Sequence, residues 1–128
     1  MTRPSKCPLS CPVLRHQLKS KIHRARVTDS NVDYEGSISI PTDLMEAVDL
    51  WVGEKVLVTS ITSGARLETY VIPGKPKSRH IVVNGAAAHL IGTGQVVTIM
   101  AFALDAEQIT PKRVLLNERN EIVTDQVL

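Results

Sequence analysis

The sequence predicts a mainly β protein, a small barrel of short strands with two brief helices. Three observations lead there. Short apolar stretches with period-two alternation recur between clusters of Gly, Asn, Ser and Pro, the pattern of strands separated by turns. Helical patterning is confined to two segments, one after Pro41 and one after Gly85. Hydrophobic residues make up 43% of the 128 residues but aromatics only 3%, so one small core must be filled by Val, Ile, Leu and Ala. Closing such short strands into a barrel removes the edges they would otherwise expose, and an aliphatic core on a short chain favours a multimer.

Taken in order, residues 1–13 read as a disordered leader ahead of one domain over residues 14–128. Residues 19–27, KSKIHRARV, alternate as a strand, with Lys21, His23, Ala25 and Val27 on one face and Ile22, Arg24 and Arg26 on the other. So many charges fit an edge strand or one at a subunit boundary. TDSNVDY reads as a connection rich in turn formers. In DYEGSISI a Gly36-Ser37 pair interrupts the next strand, which marks either a turn or bulge, or a bond at which chemistry occurs. A short helix opens at Pro41-Thr42-Asp43 and runs to about Asp49, with Thr42 as its cap. Residues 54–73 form a hairpin about Thr62-Ser63-Gly64. RHIVV is a strand ending at Asn84-Gly85, AAAHLI a helix, and QVVTIMAF the last clear strand. Beyond Asp105 only residues 113–116 keep a strand pattern.

Charge and motifs narrow the chemistry. The net charge is +2, yet Arg3, Lys6, Arg15, Lys19, Lys21, Arg24 and Arg26 all precede the first acid, Asp29. Such a segment can follow nucleic-acid phosphates, bind a small anionic substrate, or simply be solvated. Cys7, Cys11, His16 and His23 mimic a zinc-ligand series, but an extended strand from Arg15 onward does not bring four ligands to one ion, so no metal is expected and the cysteines read as free thiols. Those thiols, with no apolar h-region in the first twenty residues, fit a reducing cytoplasm. Residues 81–104 carry no Asp, Glu, Lys or Arg, but Asn84, Gly85, Gly92 and Gly94 break them into turns rather than a membrane span. The chain holds no G-x-S-x-G elbow, dinucleotide fingerprint or P-loop.

What remains is a set of polar residues within apolar strands. Arg66, Glu68 and Tyr70 share one strand face with Thr69 opposite, and Asn84-Gly85 precede three alanines whose small side chains leave backbone N–H groups open to a ligand. Singly, each also reads as a surface charge, a half-buried core residue or a plain turn.

Together, KSKIHRARVT, DYEGSISI, SGARLETYVI and VNGAAAHLIGTGQVV, in this order and spacing, resemble the pyruvoyl-dependent aspartate 1-decarboxylases from about Leu14 to Phe102. The resemblance implies a six-stranded double-psi β-barrel that self-cleaves between Gly36 and Ser37, giving chains 1–36 and 37–128. It implies that the Ser37 hydroxyl attacks the Gly36 carbonyl and that residue 37 becomes a covalently bound pyruvoyl group, with neither pyridoxal phosphate nor metal. That group forms a Schiff base with L-aspartate, which leaves as β-alanine and carbon dioxide on the route to pantothenate. By the same resemblance Thr69 and Asn84 polarise the cleaved peptide, Tyr70 is the proton donor, and Lys21, Arg66, Thr69, Gly85, Ala86 and Ala87 bind substrate. The implied assembly is a homotetramer with sites between subunits; adjacent Thr69 and Tyr70 reach one site either through a twist of their strand or between subunits, and the tetramer favours the second. His23 lies in a matching motif without an assigned role, and residues 1–12 read as an extension or a mis-set start.

Two alternatives stand beside this. One is a non-catalytic barrel of the swapped-hairpin regulator type, binding DNA through Arg15, Lys19, Arg24 and Arg26; it has no use for Gly36-Ser37 combined with Thr69, Tyr70 and Asn84. The other is an uncleaved homologue that keeps the fold without the reaction.

Overall fold

The computed structural model describes residues 11–127, with side chains through residue 123. Expectations for residues 1–10, including Cys7, lie outside the described residues. Cys11 is disulfide-bonded, which replaces the free thiol expected there.

The strands are β1 (Arg15–Arg26), β2 (Asp29–Asn31), β3 (Ser37–Pro41), β4 (Lys55–Ser60), β5 (Arg66–Gly74), β6 (Val82–Asn84), β7 (Val96–Asp105), β8 (Lys112–Leu116) and β9 (Ile122–Val127). One helix, α1 (Thr42–Ala47), follows β3, and a 3-10 turn spans Gly85–His89. The sheet order is β2-β6-β3-β5-β4-β7-β1-β8-β9. Only Val27 and Thr28 separate β1 from β2, so the seventh and first positions of the sheet belong to one continuous segment. Val27 hydrogen-bonds to Gln95 beside β7, while Thr28 hydrogen-bonds to Ile81 beside β6. The sheet therefore closes on itself as a ring of six, the β1–β2 segment with β6, β3, β5, β4 and β7. β8 and β9 extend it beyond β1. The ring has the six strands that the resemblance implies.

Its interior is aliphatic, as the composition requires. Ile22, Ile38, Ile40, Val71, Val83 and Ile99 are all buried, and α1 adds Leu44 and Met45. Burying each such side chain fully contributes about 1.5–3 kcal/mol.

Several expectations need correction. β1 is not an edge strand, since it pairs with both β7 and β8. Its alternation also breaks: the register with β7 shifts between Ile22 and Ala25, and Arg24 takes a φ of 63°. This bulge turns both Ile22 and Ala25 inward, so Lys21 and His23 do not share a face with Ala25 and Val27. The stretch TDSNVDY contains β2, and the weak pattern after Asp105 contains β9 as well as β8. Pro41 rather than Thr42 is the N-cap of α1, with no side-chain cap. AAAHLI is a short 3-10 turn ending at His89, not an α-helix. Among the described residues no helix is long and apolar enough to cross a membrane.

The far end of β1 is held by a residue the sequence did not single out. Buried Asn120, in the β8–β9 turn, accepts from the Arg26 N–H at 2.7 Å and donates to the carbonyls of Arg26 and Arg79, each at 2.9 Å. It fixes β1 just before the chain crosses to β2.

Candidate active site

β3 starts abruptly. Residues 31–36 form an exposed turn, and Ser37, the next residue, is completely buried. The Gly36–Ser37 bond thus lies where the chain passes from solvent into the barrel wall. Ser37 pairs with Asn84 across β3 and β6, and paired residues on adjacent strands send their side chains to the same face. Accordingly the Asn84 Nδ2 donates to Ser37 Oγ at 3.1 Å. Asn84 occupies the N-cap position of the 3-10 turn but makes no capping bond, so its amide is free to serve the serine. The Ser37 hydroxyl in turn donates to the carbonyl of Glu35 at 2.9 Å. That bond draws Oγ back over the backbone preceding it, the direction in which the Gly36 carbonyl lies.

Gly85 makes this packing possible. Its φ is +72°, and a Cβ there would stand 2.6 Å from the Gly36 Cα and 2.8 Å from the Gly36 nitrogen. Only glycine fits. Gly36 itself is not in the left-handed region, and a Cβ on it would meet nothing within 4 Å. The demanding conformation sits opposite the Gly-Ser bond, not within it.

β5 borders β3 in parallel, with Ile38 registered against Val71, so Tyr70 stands one residue back, level with Ser37. Leu67, Thr69 and Val71 alternate with the more exposed Arg66 and Glu68, leaving Thr69 and Tyr70 both half-buried on opposite faces. Ala86 is exposed and Ala87 half-buried as they lead away from Gly85. Gly36, Ser37, Asn84 and Gly85 are thus in mutual contact, with Thr69 and Tyr70 on the neighbouring strand.

Two expected members lie elsewhere in the chain. Arg66 is exposed and four residues along β5 from Tyr70, about 13 Å at strand spacing. Lys21 is on β1, which pairs with β7 and β8 and not with β3, β5 or β6. Lys21 faces Arg113 across the parallel β1–β8 pair, and with His23 they line a cavity of about 200 Å³. The His23 Nδ1 lies 3.2 Å from the Thr98 hydroxyl. Burial, then the charges of Lys21, Arg24 and Arg113, hold its pKa below the ordinary 6.5, so the ring is neutral at pH 7.

Sequence reasoning missed the Glu35 carbonyl and Arg113. A backbone acceptor leaves no trace in residue type, and Arg113 in KRVLL reads as one more surface charge. Of the four cations assigned to DNA in the alternative reading, Lys19 is already neutralised by Glu54 at 3.2 Å. Among the described residues no three His, Cys, Asp or Glu side chains converge on a metal position.

Fold and geometry together define a small β-barrel protein with a buried, hydrogen-bonded serine in its wall. The sequence profile of the aspartate decarboxylase family matches residues 13–123, and the chain belongs to that family. It is 48% identical over 112 residues to the aspartate 1-decarboxylase of Pseudothermotoga lettingae, covering 86% of this chain and 97% of that one. The aspartate 1-decarboxylase of Bacillus licheniformis is 46% identical over 112 residues, covering 84% of this chain and 88% of that one. That of Staphylococcus aureus (strain JH9) is 48% identical over 115 residues, with 87% and 91% covered.

Proposed function

We propose that this chain cleaves its own Gly36–Ser37 bond and that the resulting protein decarboxylates L-aspartate to β-alanine, a carbon-carbon lyase reaction serving pantothenate and coenzyme A synthesis. The observation that carries this reading is the Ser37 hydroxyl, buried, oriented by Glu35 and contacted by Asn84. A serine needed only for packing would not require a glycine at φ +72° pressed against the preceding residue.

In this reading the Ser37 oxygen attacks the Gly36 carbonyl carbon. The C–N bond breaks as the C–O bond forms, and the hydroxyl proton passes to the Ser37 nitrogen, giving an ester. Loss of the residue-37 α-proton expels the Gly36 carboxylate and leaves dehydroalanine, which water converts to a pyruvoyl group with release of ammonia. The Asn84 amide is the hydrogen-bond donor beside the reacting atoms, and Thr69 is assigned to the same polarising role. Once formed, the group supplies a ketone that takes up electrons as the substrate carboxylate departs. The chain's own side chains bind substrate and move its protons. Tyr70, level with residue 37 on β5, donates the proton that replaces the lost carboxylate. Gly85, Ala86 and Ala87 line the substrate with little bulk, and Lys21 and Arg66 hold its carboxylates.

Lys21 lies on a strand that does not pair with β3, and a homotetramer whose sites take cations from a neighbouring copy would bring it to Ser37. Exposed Phe102 and Leu104, beside Lys55 on the outer face, give such an assembly apolar surface to bury. The double-psi form of the barrel and a cytoplasmic location belong to the same proposal. No step of this reading uses residues 1–12, so a chain lacking residues 2–12 is expected to mature normally.

Mass spectrometry tests the proposal directly. Purified protein should yield a fragment ending at Gly36 and one beginning with a blocked, pyruvoyl-type residue 37. Ser37→Ala should remain full-length and inert towards aspartate, while Tyr70→Phe should cleave yet turn over about a hundredfold more slowly or worse. Full-length wild-type chain after prolonged warm incubation would sink the reading.

A further inference from the structure

Arg113 is the unexplained group of this molecule. Its Nε is the one buried side-chain nitrogen or oxygen without a hydrogen-bond partner among the described residues. It is paired in register with Lys21, so two cations face each other on adjacent strands. Like charges directly opposite one another destabilise a sheet, and an unsatisfied buried donor costs more still. Neither has an ion-pair partner among the described residues. The same cross-strand row runs on through Met100 and Leu57 to Glu68, an acid already paired with Lys55 at 3.3 Å. His23, neutral, completes the lining of a cavity of about 200 Å³, room for a carboxylate arm but not for a nucleotide.

We propose that Arg113 is a specificity residue for the substrate's side-chain carboxylate, which it holds together with Lys21. The inference rests on the proposed function, through Lys21 as a substrate-facing cation, and adds a second cation to it. A planar guanidinium offers a carboxylate two parallel N–H donors, whereas the lysine ammonium offers a point charge. The pair therefore selects an amino acid with a second carboxylate over a neutral analogue of the same size. It explains why a buried donor is left without a protein partner: the carboxylate supplies the acceptor.

Arg113→Gln and Arg113→Lys test this in the mature, cleaved protein. Self-cleavage should be complete in both, because Arg113 is not among the groups that hydrogen-bond the Ser37 hydroxyl. Arg113→Gln should raise KM for aspartate about tenfold or more with kcat changed much less, and weaken competitive inhibition by succinate to the same degree. Arg113→Lys should recover part of both losses. An unchanged KM and succinate inhibition constant in either variant would overturn the proposal, as would an equal fall in kcat without a rise in KM. Calorimetric titration of wild type and Arg113→Gln with succinate separates the two hypotheses. Should the wild type prove inactive on aspartate, succinate binding that depends on Arg113 still upholds the carboxylate pocket, and its absence dismisses the pocket.

Discussion

Two parts of one sheet follow opposite rules. Around Ser37 the chain is densely self-contained: the hydroxyl donates to one backbone carbonyl, receives one amide, and lies beside a glycine that tolerates no Cβ. Around Lys21 and Arg113 the surface is concave and cationic, with a buried donor that nothing within the described protein satisfies. The first arrangement is finished when the chain folds; the second is finished by something that arrives. In the proposed function this division matches two tasks on different schedules: bond cleavage, set by the packing of a single chain, and substrate capture, which joins Lys21 and Ser37 in an assembly.

The most severe way to break this comparison is complementation. Ser37→Ala chains lack the reacting group but keep Lys21; Lys21→Ala chains have the reverse. Each homogeneous protein should be essentially inactive, whereas co-expressed mixtures should regain a substantial fraction of wild-type turnover, because some sites draw residue 37 and Lys21 from different chains. Cleavage of the Lys21→Ala chain should be normal in either setting. If mixtures stay as inactive as the parents, Lys21 acts on its own chain.

A sharper probe compares two glycines. Gly64, in the β4–β5 turn, has a φ of +79°, and a Cβ on it would meet nothing within 4 Å, while a Cβ on Gly85, at φ +72°, would meet the Gly36 backbone at 2.6 Å. Gly64→Ala therefore carries only the backbone penalty, about 1–2 kcal/mol, and should cleave at the wild-type rate. Gly85→Ala adds a clash with backbone that cannot swing aside. It should lose a further ~1 kcal/mol or more in denaturant unfolding, on the scale expected for overpacking, and slow the appearance of the 37–128 fragment at least tenfold. Equal cleavage rates in the two variants would mean that the Gly36–Gly85 contact is packing alone.

Much of the first region could be read from residue types, and little of the second. Gly36-Ser37 and Asn84-Gly85 are conspicuous because glycine, serine and asparagine interrupt aliphatic strands, and the β4–β5 hairpin announces itself by alternation about Thr62-Ser63-Gly64. β2 was invisible for a physical reason. Its residues, Asp29, Ser30 and Asn31, are all exposed and bury nothing, and their strand character comes only from pairing with distant β6. The bulge at Arg24 was equally hidden, since an arginine at φ 63° gives no local warning. Missing that bulge assigned Lys21 and His23 to the wrong face. The identity of the cationic patch depends on β8 lying against β1, a pairing between segments some ninety residues apart that no local pattern encodes.

The smallest predicted effect concerns His23, which lies between the two cations and the rest of the sheet. Its folded-state pKa is depressed, first by burial and then by Lys21, Arg24 and Arg113, whereas in the unfolded chain it returns to about 6.5. Below that value the unfolded chain binds a proton that the folded chain resists. Stability attributable to His23 is therefore fully present above pH 6.5 and falls as the pH drops from there towards the depressed folded value. His23→Gln keeps a polar side chain near the Thr98 hydroxyl but cannot titrate. Denaturant unfolding at pH 7.5 and 5.5 should show a smaller acid loss in the variant than in the wild type. Succinate bound to the patch should shrink that difference, because an anion beside the ring offsets the charges of Lys21 and Arg113 that oppose its protonation. A wild-type acid loss equal to that of the variant, with and without succinate, would show that the cations around His23 are more fully solvated than their burial indicates.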